Sequence, residues 1–67
     1  MKNKIKVMRA ERDWSQQVLA DTLGVSRQAI NAIEREKHDP SLQLAFDISK
    51  VFGKTIEQIF FPDNSES

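Results

Sequence analysis

The sequence predicts an all-α fold of five short helices in a single domain spanning residues 1–67. Three observations point there. Apolar residues recur at three- and four-residue spacing, and no stretch alternates for long enough to call a strand. Serine and threonine stand where helices would start, and glycine where two of them would stop. The chain has no cysteine, so packed helical faces rather than disulfides or thiolate metal sites must hold it. Ile, Leu, Val and Phe make up 18 of the 67 residues, above the range of disordered chains.

The first helix is expected from about Lys2 to Arg12. Ile5 and Met8 lie on one face, with Lys2, Lys4, Lys6, Arg9 and Arg12 around them and no Gly or Pro to interrupt. Ser15 reads as the N-cap of a second helix, Gln16 to Leu23, with Leu19, Ala20 and Leu23 on one face. Gly24 ends it, at a position suited to positive φ. Trp14 is expected to pack against the core between these two helices. Ser26 caps a third helix, Arg27 to Arg35, with Ile30 and Ile33 as its buried stripe.

Asp39-Pro40-Ser41 forms the next break, because Pro40 disfavours the α region for its predecessor and Ser41 is a cap. A fourth helix follows from Leu42 to Phe52, with Leu42, Ala45, Ile48 and Phe52 on one face and Gly53 as its stop. Thr55, with Gln58 three residues on, fits a capping box for a fifth helix, Ile56 to Phe60. The polar tail, Pro62 to Ser67, is expected to fray.

Several function classes are disfavoured. Apolar runs reach only three residues, so neither a membrane span nor a secretory core is expected, and the reading is a cytoplasmic protein without a membrane partner. His38 is the sole histidine, with no cysteine near it, so no metal site is expected. No nucleophile, base and oxyanion device stand together, so the chain is read as no enzyme, with no cofactor and no small-molecule ligand.

The informative unit runs from Gln16 to Ile33: a helix, a short turn containing Gly24, and a second helix after Ser26. Two helices joined so tightly cross steeply, as in a helix-turn-helix, whose second helix presents its N-terminal residues to the DNA major groove. Those residues here are Ser26, Arg27, Gln28 and Asn31, all able to hydrogen-bond and none acidic. Arg matches guanine O6/N7, and Gln or Asn matches adenine N6/N7. The bland alternative is an ordinary solvated helix face.

The blocks Ser15-Gln16-Gln17-Val18-Leu19-Ala20, Leu23-Gly24-Val25-Ser26-Arg27-Gln28 and Ile30-Asn31-Ala32-Ile33-Glu34 resemble the Cro/phage-repressor (XRE) family of helix-turn-helix regulators. The likeness continues through Pro40-Ser41-Leu42 and Phe52-Gly53 to Ile56-Glu57-Gln58-Ile59-Phe60, covering roughly residues 4–61. It implies a lambda-repressor-like domain, with the helix-turn-helix at the second and third helices, bound to double-stranded DNA as a homodimer on a two-fold-symmetric operator. By the resemblance, Gln16 contacts a phosphate, and Arg27 and Gln28 are the principal base readers, with Asn31 next. Ser26 caps its helix and touches the DNA, Lys37 and His38 clamp phosphate, and Arg9 and Glu34 form a largely buried ion pair. Repression would follow from occlusion of promoter DNA. An antitoxin or other protein-interaction module, with autoregulatory DNA binding, is the alternative; the short tail after Phe61 counts against it.

Two positions depart from the family pattern. Glu36 stands where Gly or Asn is common, so either it adopts positive φ under strain or the third helix ends differently. Ser49 replaces a small apolar residue and is expected to bond to a carbonyl of its own helix. Phe61, Phe60, Phe46 and Leu44 are candidates for the dimer interface, although Phe60 also continues the Ile56/Ile59 stripe into the core.

Ten Lys and Arg balance ten Asp and Glu, and that neutrality at first argues against DNA. The distribution answers it. Residues 1–12 carry five positive charges and one negative, residues 13–37 three and four, and residues 38–67 two and five. The acid thus sits away from the expected DNA face, and weak nonspecific binding with a shallow salt dependence is anticipated.

Overall fold

A computed structural model describes residues 1–62; the tail beyond, where fraying was expected, lies outside the described residues. The chain forms α1 (Ile5–Glu11), α2 (Gln16–Leu23), α3 (Arg27–Glu34), α4 (Leu42–Phe52) and α5 (Ile56–Ile59). Two short strands, β1 (Lys2–Asn3) and β2 (Phe60–Phe61), pair antiparallel, Lys2 opposite Phe61 and Asn3 opposite Phe60.

The strands correct the expected helix bounds. The first helix begins at Ile5 rather than Lys2, and the fifth ends at Ile59, leaving Phe60 extended. Backbone pairing is the cause. The Lys4 amide donates to the Ile59 carbonyl at 2.9 Å, while Asn3 Oδ1 accepts from the Ile5 amide at 3.2 Å and serves the start of α1. Asn3 Nδ2 also donates to the Ile33 carbonyl at 2.9 Å, tying the chain start to the end of α3. The third helix stops at Glu34, one residue earlier than expected.

Each helix sends one large, fully buried side chain to the centre: Ile5, Leu19, Ile30, Ile48 and Ile59. Met8, Ala20, Ile33, Ala45, Phe52 and Phe60 complete the core, and Trp14, Leu23, Val25 and Leu44 pack against it. Leu42 does not join it. As the first residue of α4 it points outward and is 70% exposed, and Leu44 takes up the packing instead.

The four expected caps are present. The hydroxyls of Ser15, Ser26, Ser41 and Thr55 accept from the amides of Val18, Ala29, Leu44 and Gln58 at 3.1–3.2 Å. Gln58 Oε1 accepts from the Thr55 amide at 2.8 Å, closing the capping box.

The first four helices end alike, in a left-handed residue followed by an amide that reaches back five positions. Trp14 donates to Arg9, Val25 to Ala20, Lys37 to Ala32 and Lys54 to Ser49, at 2.9–3.2 Å. The left-handed residue is Gly24 or Gly53 in two cases, but Asp13 (φ 57°) and Glu36 (φ 64°) in the others. The question at Glu36 is thereby answered: the turn keeps positive φ and Glu36 accepts the strain. Glu36→Gly is expected to stabilise the protein by about 0.5–1 kcal/mol, raising Tm by a few degrees. A lower Tm would show that the Glu36 side chain does more for the fold than its backbone costs.

Ser49 behaves otherwise than expected. Its hydroxyl donates to the Lys54 carbonyl beyond the helix end, because the turn at Gly53 folds Lys54 back over it. Arg12 closes the same end of α4: its guanidinium donates to the Val51 and Phe52 carbonyls at 2.9 Å each. It also lies over the Trp14 and Phe52 rings, 5.2 and 5.1 Å from their centroids.

Candidate nucleic-acid interface

The second and third helices are joined only by Gly24, Val25 and Ser26. Gly24 turns the chain with φ 73°, and the partly buried Val25 packs on the core, anchoring the tight turn between α2 and α3. Leu19 and Ala20 on one helix, and Ile30 and Ile33 on the other, bury the inner faces. The outer face at the start of α3 is thereby presented to solvent.

Arg27 and Gln28 are both exposed there. Ser26, also exposed, uses its oxygen to accept the Ala29 amide, which leaves the hydroxyl proton free to be donated outward. Asn31 follows one turn on and is half-buried, leaning towards α2.

Between the helices the polar groups form a chain. Asn31 Nδ2 donates to Gln16 Oε1 at 3.4 Å, and Gln16 Nε2 donates to Glu34 Oε1 at 3.1 Å. The Glu34 carboxylate is gripped at both oxygens by Arg9, Nε to Oε2 at 2.6 Å and Nη2 to Oε1 at 3.0 Å. Arg9 Nη1 donates to the Trp14 carbonyl at 2.7 Å. The ion pair is sheltered, the Arg9 and Glu34 side chains being 12% and 4% exposed. The hydrogen bond to Glu34 holds the Arg9 guanidinium above its ordinary pKa, against an opposing effect of burial. The only acid in α3 is therefore neutralised by a partner from α1.

Gln16 opens α2, where unpaired first-turn amides and the helix dipole favour an anion. Gln17 is committed elsewhere, donating to Asp21 Oδ1 of its own helix at 2.8 Å. Lys37 and His38 are exposed in the loop after α3, with both backbone amides donating to the Ala32 carbonyl, at 2.9 and 3.3 Å. That double bond fixes their path and leaves both side chains outside.

The dimer candidates separate. Phe46 is 48% exposed and shares a face of α4 with Leu42 one turn earlier. Leu44 packs partly on the core, and Phe61 is half-buried with Lys4 Nζ 5.4 Å from its ring centroid. Phe60 is 6% exposed and packs in the core, as its continuation of the Ile56/Ile59 stripe suggested, which leaves it little surface for a dimer contact.

The resemblance paired Arg9 with Glu34, but the sequence reading missed the bonds that join Gln16 to Glu34 and to Asn31. The signal available was that polar residues at the start of α2 and along α3 face each other across a turn of known shape. Among the described residues, no group of three or more His, Cys, Asp or Glu is placed to hold a metal ion. No helix among them is long and apolar enough to cross a membrane.

The Helix-turn-helix family model matches residues 5–59. The chain is 56% identical over 66 residues to an uncharacterized HTH-type transcriptional regulator of Methanocaldococcus jannaschii, covering 98% of this chain and 100% of that one. It is 46% identical over 61 residues to an uncharacterized HTH-type transcriptional regulator of Bacillus subtilis, covering 91% and 92%. Among solved structures it is similar to a hypothetical transcription factor, NHTF, from Neisseria, with TM-score 0.73 and 26% identity. That likeness covers 85% of this chain and 66% of the other, so this chain spans a little under two thirds of that structure's length.

Proposed function

This chain belongs to the helix-turn-helix family of DNA-binding transcriptional regulators, and we propose that it is a repressor acting as a homodimer on a two-fold-symmetric operator. One observation carries the reading: Ser26, Arg27 and Gln28 stand exposed on the capped start of α3, with Asn31 beside them and the nearby acid neutralised by Arg9.

In this reading α3 enters the major groove. Arg27 offers two donors to guanine O6 and N7, and Gln28 and Asn31 offer the donor–acceptor pair that adenine N6 and N7 require. The Ser26 hydroxyl meets the backbone or a thymine methyl. Gln16, Lys37 and His38 hold phosphates on either side and set the register, which base contacts alone do not. Occupation of promoter DNA then excludes the transcription machinery.

Dimerisation follows from the arithmetic of specificity. One recognition helix reads too few base pairs to stand out among about 10⁶–10⁹ competing sites. Two copies on half-sites about 34 Å apart double the readout. The principal extents of the chain, 35 × 22 × 21 Å, let two abutting copies reach that spacing. The α4 face bearing the exposed Phe46 and Leu42 is the surface proposed to join them.

Sedimentation of the free protein is expected to give twice the 7.7 kDa chain mass, and Phe46→Asp to give the single mass with weaker operator binding. A dimer that survives Phe46→Asp would place the interface on another face. A wild-type chain that stays monomeric on and off DNA would contradict the homodimer.

A further inference from the structure

We propose that Glu34, which the DNA-binding reading leaves away from the bases, governs base preference at Asn31 by fixing the direction of two amide groups. The inference rests on that reading and adds to it a positioning residue beneath the recognition surface.

An ionised carboxylate only accepts hydrogen bonds. Glu34 is 4% exposed, and its Oε1 lies 3.1 Å from Gln16 Nε2. Turning the Gln16 amide over would set its oxygen against the carboxylate in a sheltered place, where an unmatched acceptor is costly. Gln16 therefore faces Glu34 with its NH2 and Asn31 with its oxygen. That oxygen also only accepts, so Asn31 must offer it Nδ2, as the 3.4 Å bond between them records. Polarity thus passes from Glu34 through Gln16 to Asn31.

What remains of Asn31 is one N–H and both lone pairs of Oδ1, in a set order along the groove. Adenine N7 and N6 complement such a pair in one arrangement only. An Asn31 amide released from Gln16 could turn over, offer donor and acceptor in the opposite order, and lose its discrimination. Arg9 serves the relay indirectly, by keeping the carboxylate charged and in place.

The test compares binding of full-length variants to duplexes carrying each base at every operator position. Glu34→Gln keeps the shape but can donate as well as accept. It is expected to flatten the preference at the Asn31 base pair by roughly tenfold, with the pairs read by Arg27 and Gln28 unchanged. In an Asn31→Ala background the same change should do nothing further at that pair. Because Glu34→Gln leaves Arg9 without its counter-charge, Gln16→Met is the second variant. It breaks the relay without touching the ion pair, and should flatten the same base pair while weakening all sequences evenly through its lost phosphate contact. Arg9→Lys, which leaves the carboxylate in place, should cost stability and keep the preference.

A wild-type profile in folded Glu34→Gln or in Gln16→Met overturns the inference, as does a loss spread evenly over all positions in both. A wild-type protein with no base preference at all would overturn the DNA-reading proposal itself, and this inference with it.

Discussion

Arg9→Ala is expected to destabilise the protein by about 3 kcal/mol or more, the cost of leaving one member of a sheltered ion pair without its partner. The Tm should fall by more than about 10 °C. The guanidinium makes three bonds that nothing else replaces, two to Glu34 and one to the Trp14 carbonyl at the end of α1. Without it the Glu34 carboxylate, 4% exposed, would keep only the Gln16 amide. For so small a domain that is a large share of the total stability. Since the pKa of Arg9 is raised, its charge is fully present at neutral pH, and its contribution is lost as pH rises beyond the arginine range. Arg9→Met combined with Glu34→Leu should recover much of the loss, because neither charge is then stranded. Thermal unfolding followed by circular dichroism checks both, and an unchanged Tm for Arg9→Ala would show that the pair contributes nothing.

Gln28→Ala is expected to cost about 1–3 kcal/mol on the operator and almost nothing on random DNA. Gln28 is exposed and outside the core, so the change should leave the Tm where it was, within the ~0.5 kcal/mol typical of surface positions. Titrations on operator and on shuffled duplexes at one salt concentration give the comparison. Equal losses on the two would remove Gln28 from the base readers and leave it a general contact.

The contrast between these two residues reflects what the sequence could and could not express. Local signals were legible. Ser15, Ser26, Ser41 and Thr55 cap helices where their spacing placed them, because a cap is set within three residues. Strands of only two residues left no alternation to detect, and the pairing of Lys2–Asn3 with Phe60–Phe61 depends on the two ends of the chain meeting. Leu42 was read as core from its spacing alone; at the first position of α4 the tertiary packing favours Leu44. Asp13 carried no signal for the left-handed turn it makes, since glycine is what normally marks one.

The candidate site divides the same way. The exposed residues at the start of α3 were legible from the turn and the caps. The resemblance supplied the Arg9–Glu34 pair. The bonds from Gln16 to Glu34 and Asn31 span 18 and 15 positions and exist only once α2 and α3 have crossed. Neutral overall charge was least informative, because it averages over a basic first segment and an acidic last one.

The central claim is that α3 reads a defined sequence and that two copies do so together. Selection of binding sites from a pool of random duplexes tests it most directly. Two inverted half-sites with centres about 10–10.5 base pairs apart should emerge, one turn of B-DNA. Guanine or adenine should occupy the positions facing Arg27 and Gln28. A pool that remains random after repeated rounds would contradict the claim, as would enrichment of one unrepeated half-site.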